Sequence, residues 1–296
     1  MDISVAGINF RISCRDLRLS SELQRQSYKP FISLDVPSPN EEIITIDVKA
    51  GGFPDTARFT KIFDSNESWS MFTNGAEYLW VDIPPSSGGP ICLAMFDRGL
   101  GKVTVYCGTA LIFDIEGEKM LLNPVSYPLD QLLLMYALAE RRGALIHASG
   151  IDMNGEGYIF PGKSGAGKST ISRILVSKGR DILSDDRIAA RQISGQFRMF
   201  GTPWAGEAEI AENRSLPLRG IFFIRQSGEN VIKAVTPTEA AERLMPVISV
   251  PWYDRGVMTE ILSFCEHLVF AVPAYELCFR PEVGVADLFE EFVLRR

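Results

Sequence analysis

The chain has 296 residues, 46% of them hydrophobic, with 37 acidic against 30 basic side chains and a formal charge of -7. That length admits one large domain or two ordinary ones with full cores, and the acidic balance excludes a surface that tracks a nucleic-acid backbone or an anionic membrane. Five cysteines stand singly without a C-x-x-C pair, and the two histidines, His147 and His267, are too few for a multi-histidine metal site.

Residues 1–125 read as a β-rich domain. Alternating or β-branched runs at 43–48, 78–83 and 102–107 are separated by Gly, Pro, Asn and Ser clusters, which predicts a largely antiparallel arrangement. A short helical piece fits 17–26. The Pro- and Gly-rich stretch 84–90 suits neither a helix nor a central strand, so it reads as a hairpin connection. No basic-then-apolar leader opens the chain and no run approaches the ~18 apolar residues of a spanning helix, so a cytoplasmic protein is expected.

Residues 126–296 read as a second domain. A helix over 129–142 follows Pro128 and stops at Gly143; its near-continuous apolarity predicts burial between the two domains. Next comes a hairpin with strands at 145–148 and 158–160 and Asn154-Gly155 at the turn. A helix ending at Lys178-Gly179, a strand over 180–186, a hairpin over 188–200 and a buried strand over 218–224 follow. Thr236, Pro237 and Glu239 supply an N-cap, a first-turn proline and a capping-box glutamate for a helix that stops at Pro246. The remainder reads as a helix over 255–267, strands at 268–272 and 275–279, and a helix over 287–294.

Gly162, Lys163, Ser164, Gly165, Ala166, Gly167, Lys168 and Ser169 fit G-x-x-x-x-G-K-[ST] without a gap, with a strand before and a helix after. Glycines let successive N–H groups turn inward at phosphate oxygens, and the helix adds its unpaired N-terminal donors and the positive end of its dipole. The motif assigns Lys168 to the β- and γ-phosphates and Ser169 to Mg²⁺. ATP and Mg²⁺ are therefore the expected cofactors, with nucleotide contacts from Gly162 to Thr170. Asp185 and Asp186 end the strand that returns from this helix, which brings two carboxylates beside the loop. Phosphoryl transfer to a hydroxyl needs a metal ligand and a carboxylate for the hydroxyl proton, and the two can divide those tasks. Arg187, Arg191 and Arg198 alternate onto the following hairpin and read as a solvated face.

The hairpin, the Gly-rich loop and the short strand ending in Asp-Asp together resemble the C-terminal domain of HPr serine kinase/phosphorylase, whose core fold is shared with ATP-dependent phosphoenolpyruvate carboxykinase. The resemblance covers roughly 144–224, continues more weakly to the C-terminus and does not reach the N-terminal part. It implies an α/β P-loop kinase domain with a mixed sheet, α+β overall once the β-rich domain is counted, and a γ-phosphoryl transfer from ATP to a serine hydroxyl of a peptide or protein. It further implies that His147 lies near the catalytic centre, that Asp185 acts as base, and that Asp186 is its supporting or metal-proximal partner; the two aspartate roles are exchangeable. Glu212, in Glu212-Asn213-Arg214, stands where the family has a metal-proximal glutamate, but Ser215 and Leu216-Pro217 replace the glycine-rich continuation, so phosphorylase activity and HPr recognition are not carried over. Glu207, in a segment that resembles diverged relatives associated with peptide-modification gene clusters, competes for the metal-proximal place. A small-metabolite kinase and a non-catalytic ATP-sensing module are the alternative readings, and the sequence leaves a homo-oligomer open.

Overall fold

The computed structural model describes residues 1–20, 26–33 and 42–295, and it divides into two compact units, Met1–Gln26 with Ile32–Ala137 and Ser27–Phe31 with Leu138–Arg296. Among the described residues, no helix is long and apolar enough to cross a membrane.

Among its described residues the first unit holds a nine-stranded sheet in the order Ile32–Ser33, Asp2–Val5, Ile8–Cys14, Ile43–Ala50, Val103–Cys107, Cys92–Asp97, Glu77–Asp82, Trp69–Thr73, Thr60–Asp64. From Val103 outward the neighbours are antiparallel, and residues 84–90 connect two of them as expected. Ile43–Ala50 departs from the antiparallel expectation, pairing in parallel on both sides, because its connections cross over other strands instead of turning in hairpins. Its Ile44, Ile46 and Val48 side chains are buried, the period-2 pattern of a half-buried strand. Half of the helical piece expected over 17–26 falls outside the described residues, and Arg18–Ser20 near its start is a strand paired with Glu118–Leu122.

The helix Leu129–Ala139 stops short of the expected 142. A turn intervenes in which Arg142, not Gly143, takes the left-handed backbone at φ 53°. Gly143 opens the next strand, where a Cβ would lie 2.8 Å from Cγ of Arg191 and 2.9 Å from the Ala190 carbonyl oxygen. Close approach, and not a helix stop, is what requires glycine there.

In the second unit the strand Gly143–Met153 is the hub. One half pairs with Arg187–Ile193 and Ile248–Ser249, the other with Glu156–Pro161 and Asp181–Ser184. The hairpin to Glu156–Pro161 turns through Asn154 (φ 58°) and Gly155 (φ 87°), the two left-handed residues of a type I′ turn. The sheet continues through Gln196–Phe200, Ser215–Gln226, Ala274–Phe279 and Val231–Val235, with Ser215–Gln226 parallel to both Glu156–Pro161 and Ala274–Phe279. Helix Lys168–Ser177 buries Ile171 and Leu175 one turn apart, against a core that also takes Phe160, Phe222, Phe279 and Phe289. It ends where Gly179 turns left-handed at φ 79°.

Residues 268–272 are not the expected strand. Helix Arg255–Ala271 runs through all but the last of them, because Phe264, Cys265, Leu268 and Val269 prolong its buried stripe at helical spacing, and Val272 takes the extended backbone expected before Pro273.

On Ala274–Phe279, Glu276 accepts from Arg225 at 3.0 Å and from Arg243 at 2.8 Å. Burial alone would raise its carboxyl, but hydrogen bonds from Arg225, Arg243 and the Cys278 thiol reverse this and take it from 4.5 down to about 2. A depressed folded value means a contribution that is complete above pH 4.5 and lost progressively as pH falls through about 2. Denaturant titrations between pH 6 and pH 2 should therefore show a fall in stability that is shallower in Glu276→Gln; equal slopes would remove Glu276 from the acid response.

Candidate functional site

The Gly-rich loop leaves the end of Glu156–Pro161 on the side where the parallel strand Ser215–Gln226 also ends, the carboxyl-end position where open α/β sheets take ligands. Gly165 (φ 79°) and Gly167 (φ 106°) hold left-handed backbone that a side chain would strain. Gly162 has a different reason: its Cβ would lie 2.9 Å from Cβ of Ala166. The turn closes through Ala166 N–H to the Lys163 carbonyl at 3.1 Å.

Lys168 opens the helix and is buried. Its Nζ donates to the carbonyls of Gly162 at 2.7 Å and Lys163 at 3.2 Å, so the ammonium is held inside its own loop. Burial lowers the Lys168 ammonium below its ordinary value, and the nearby Asp186 carboxylate only partly counters this.

Backbone hydrogen bonds fasten the other parts to the hub strand. The His147 carbonyl accepts from Gly162 N–H at 3.1 Å, and Ala148 N–H donates to the Asp186 carbonyl at 3.0 Å. His147 Nε2 lies 3.0 Å from Asp186 Oδ1. Burial pushes the Asp186 carboxyl up, yet the His147 hydrogen bond and the charges of Arg187 and Lys168 outweigh it and hold the group below the usual aspartate range.

The two aspartates differ sharply. Strand Asp181–Ser184 ends just before them. Asp185 is 3% exposed, and its two oxygens accept from Gly206 N–H and Ala208 N–H, each at 2.8 Å. Asp186 keeps a side chain 32% exposed beside His147.

A cleft of about 310 Å³ gathers His147, Lys168, Ser169, Asp185, Asp186 and Glu207, with Ser164, Gly165, Gly167 and Thr170 of the loop. Gly162, Lys163 and Ala166 frame the loop without lining the cleft. Glu212 is not among the lining residues: it is exposed, and its N–H returns to the Leu183 carbonyl at 2.8 Å. Of the arginines, Arg187 is half-buried rather than solvated, its Nε 3.4 Å from Asp186 Oδ2, whereas Arg198 bonds to Ser215 instead. Sequence reasoning missed Arg173 and Gln226, which also line the cleft. Arg173 was recoverable, since it stands one helical turn after Ser169 and donates to its carbonyl at 3.1 Å. Gln226 comes from the far end of a distant strand and carries no local signal. Among the described residues, no group of three or more His, Cys, Asp or Glu is arranged to hold a metal ion by itself.

Comparison with known proteins gives relatives for this half of the chain. The HPr kinase/phosphorylase of Latilactobacillus sakei is 30% identical over 151 residues, covering 50% of this chain and 44% of that protein. That of Lactiplantibacillus plantarum is 36% identical over 166 residues, covering 56% and 47%. The chain spans about half the length of the curated relatives it matches. Among solved structures, the Hpr(Ser) kinase/phosphatase from Coxiella burnetii aligns with a TM-score of 0.32 and 13% identity, over 51% of this chain and 88% of that one. The family described as SynChlorMet cassette protein ScmC matches residues 129–278. With that match spanning half its length, the chain belongs to this family and is a diverged HPr kinase-like member.

Proposed function

We propose that the protein is an ATP-dependent kinase that transfers the γ-phosphoryl group to a hydroxyl, that of a serine on a peptide or protein. The observation that carries this reading is the placement of the His147–Asp186 pair in one cleft with Lys168 and the Gly-rich loop. An anion cradle and a carboxylate placed to take the hydroxyl proton are two of the parts that phosphoryl transfer to a hydroxyl uses, and His147 is the partner that orients this carboxylate. The curated relatives are named as kinases of HPr; the acceptor of this chain is a different matter, since Ser215 and Leu216-Pro217 replace the glycine-rich continuation after Glu212-Asn213-Arg214.

In the proposed reaction the loop amides and Lys168 hold the phosphates, and the bond from the acceptor oxygen to the γ-phosphorus forms as the bond to the β,γ-bridging oxygen breaks, releasing ADP. The hydroxyl proton passes to Asp186, which His147 orients through its contact with Oδ1. This is the exchanged assignment of the two aspartates, and accessibility supports it: Asp186 faces the cleft with an exposed edge, while both Asp185 oxygens are already taken by backbone N–H groups.

The donor set fits Mg²⁺. Ser169 and Glu207 offer hard oxygen ligands around one cleft, the donors Mg²⁺ takes together with waters and nucleotide phosphates. When bound, it would supply charge neutralisation across the β- and γ-oxygens.

The test is incubation of the protein with ATP, Mg²⁺ and candidate peptides encoded near it, followed by mass spectrometry. The expected product gains one phosphate that survives acid, as a serine ester does. Acid-labile phosphate would point to nitrogen as the acceptor and overturn the serine assignment.

A further inference from the structure

We infer that Asp185 is a positioning residue whose carboxylate clamps the turn Gly206–Ala208 and thereby aims Glu207 into the cleft. The inference rests on the kinase reading above for what Glu207 does there, but the clamp itself is a matter of geometry. Asp185 Oδ1 takes the Gly206 N–H and Oδ2 the Ala208 N–H, both at 2.8 Å, so the two bonds bracket Glu207. Charge-assisted bonds of this kind are about twice as strong as neutral ones. The carboxylate is nearly sealed from solvent, at 3% exposure, so its hydrogen-bonding capacity is committed to the turn and not to bulk water.

Gly206 is shaped to this contact. A Cβ there would sit 2.8 Å from Asp185 Oδ2, 3.1 Å from its Cγ and 3.3 Å from Asp186 Cβ. Its backbone is not left-handed, so close approach to the carboxylate alone accounts for glycine. The flanks are fixed as well: Thr202 is fully buried and its Oγ1 donates to the Arg187 carbonyl at 2.7 Å, while Glu212 N–H returns to Leu183. The excursion between them reaches the cleft at Glu207, and the two Asp185 bonds tie that turn to the aspartate strand. An acidic side chain held by a buried carboxylate through two amides is the outer-layer support that metal sites use to orient a ligand.

Two measurements on the full chain test this. Hydrogen exchange reports the clamp: the Gly206 and Ala208 amides should be protected in the wild type and in Glu207→Gln, and should exchange at least about tenfold faster in Asp185→Asn, where an amide NH₂ replaces one acceptor. Mn²⁺ binding in the presence of ADP, followed by electron paramagnetic resonance, reports the consequence. Glu207→Gln and Asp185→Asn should each weaken it by about tenfold or more, the scale of lost outer-layer support, and the double variant should be no weaker than either alone. Gly206→Ala, which keeps both carboxylates, should reproduce the loss and decides the matter if Asp185→Asn does not fold. Unchanged amide protection in Asp185→Asn, multiplicative losses in the double variant, or unchanged Mn²⁺ affinity in Gly206→Ala would each overturn the inference. A wild type that binds no Mn²⁺–ADP at all overturns instead the kinase reading, and the exchange data still judge the clamp.

Discussion

Lys168→Ala should weaken Mg²⁺–ATP binding by at least about a hundredfold, read by calorimetry, with the fold retained. The lysine is assigned contacts to two phosphates, and a hydrogen bond to a charged group contributes about 1.5–3 kcal/mol, or roughly tenfold or more for each. The structure adds a second effect in the same direction. Lys168 Nζ spans the Gly162 and Lys163 carbonyls, so its loss also unties the first turn of the loop before any ligand arrives. Buried stability should suffer less than affinity, because Ile171 and Leu175, not Lys168, fasten the helix to the core. Unchanged affinity in this variant would remove the loop as the nucleotide site.

Asp186→Asn should lower turnover by about a hundredfold or more, the scale of general-base loss, while leaving the affinity for ATP within a few-fold of wild type. The separation follows from charge. Asp186 is a negative charge beside the loop that takes the phosphates, so neutralising it removes a repulsion towards an anion and does not weaken the anion site. What is lost is the carboxylate next to His147 that receives the hydroxyl proton, an interaction made in the transition state. Steady-state rates with an acceptor identified by mass spectrometry, set beside calorimetry for ATP, give both quantities. Turnover retained at the wild-type level would return the base to Asp185; a steep rise in the Mg²⁺ requirement with turnover restored at saturation would make Asp186 a metal ligand.

The parts of this site that sequence made visible are those carried by local chemistry. The loop's glycines, the helix that follows and the Asn154-Gly155 turn each depend on a few adjacent residues, and each lies where expected. The choice between Glu207 and Glu212 was not readable, because it depends on how the chain doubles back. Gly201 N–H meets the Arg214 carbonyl at 3.1 Å, so the intervening stretch is an excursion with Glu207 on it and Glu212 on the return. Distance along the chain from the aspartates says nothing of that. Alternation alone puts Arg187 on a solvated face, yet as the first residue of its strand it sits against Asp186 instead. The 268–272 error has a similar root, since a short apolar run is compatible with a strand or with the last turn of a helix.

Apart from Gln226, the cleft is drawn from a single uninterrupted stretch between His147 and Glu207. A site encoded in one stretch can be inherited as a block. Recombination on either side would exchange what surrounds the chemistry without scattering its parts, whereas a site assembled from distant segments is broken by most crossovers. The regions flanking this stretch are therefore free to diverge at the pace their own packing allows, with the block left intact.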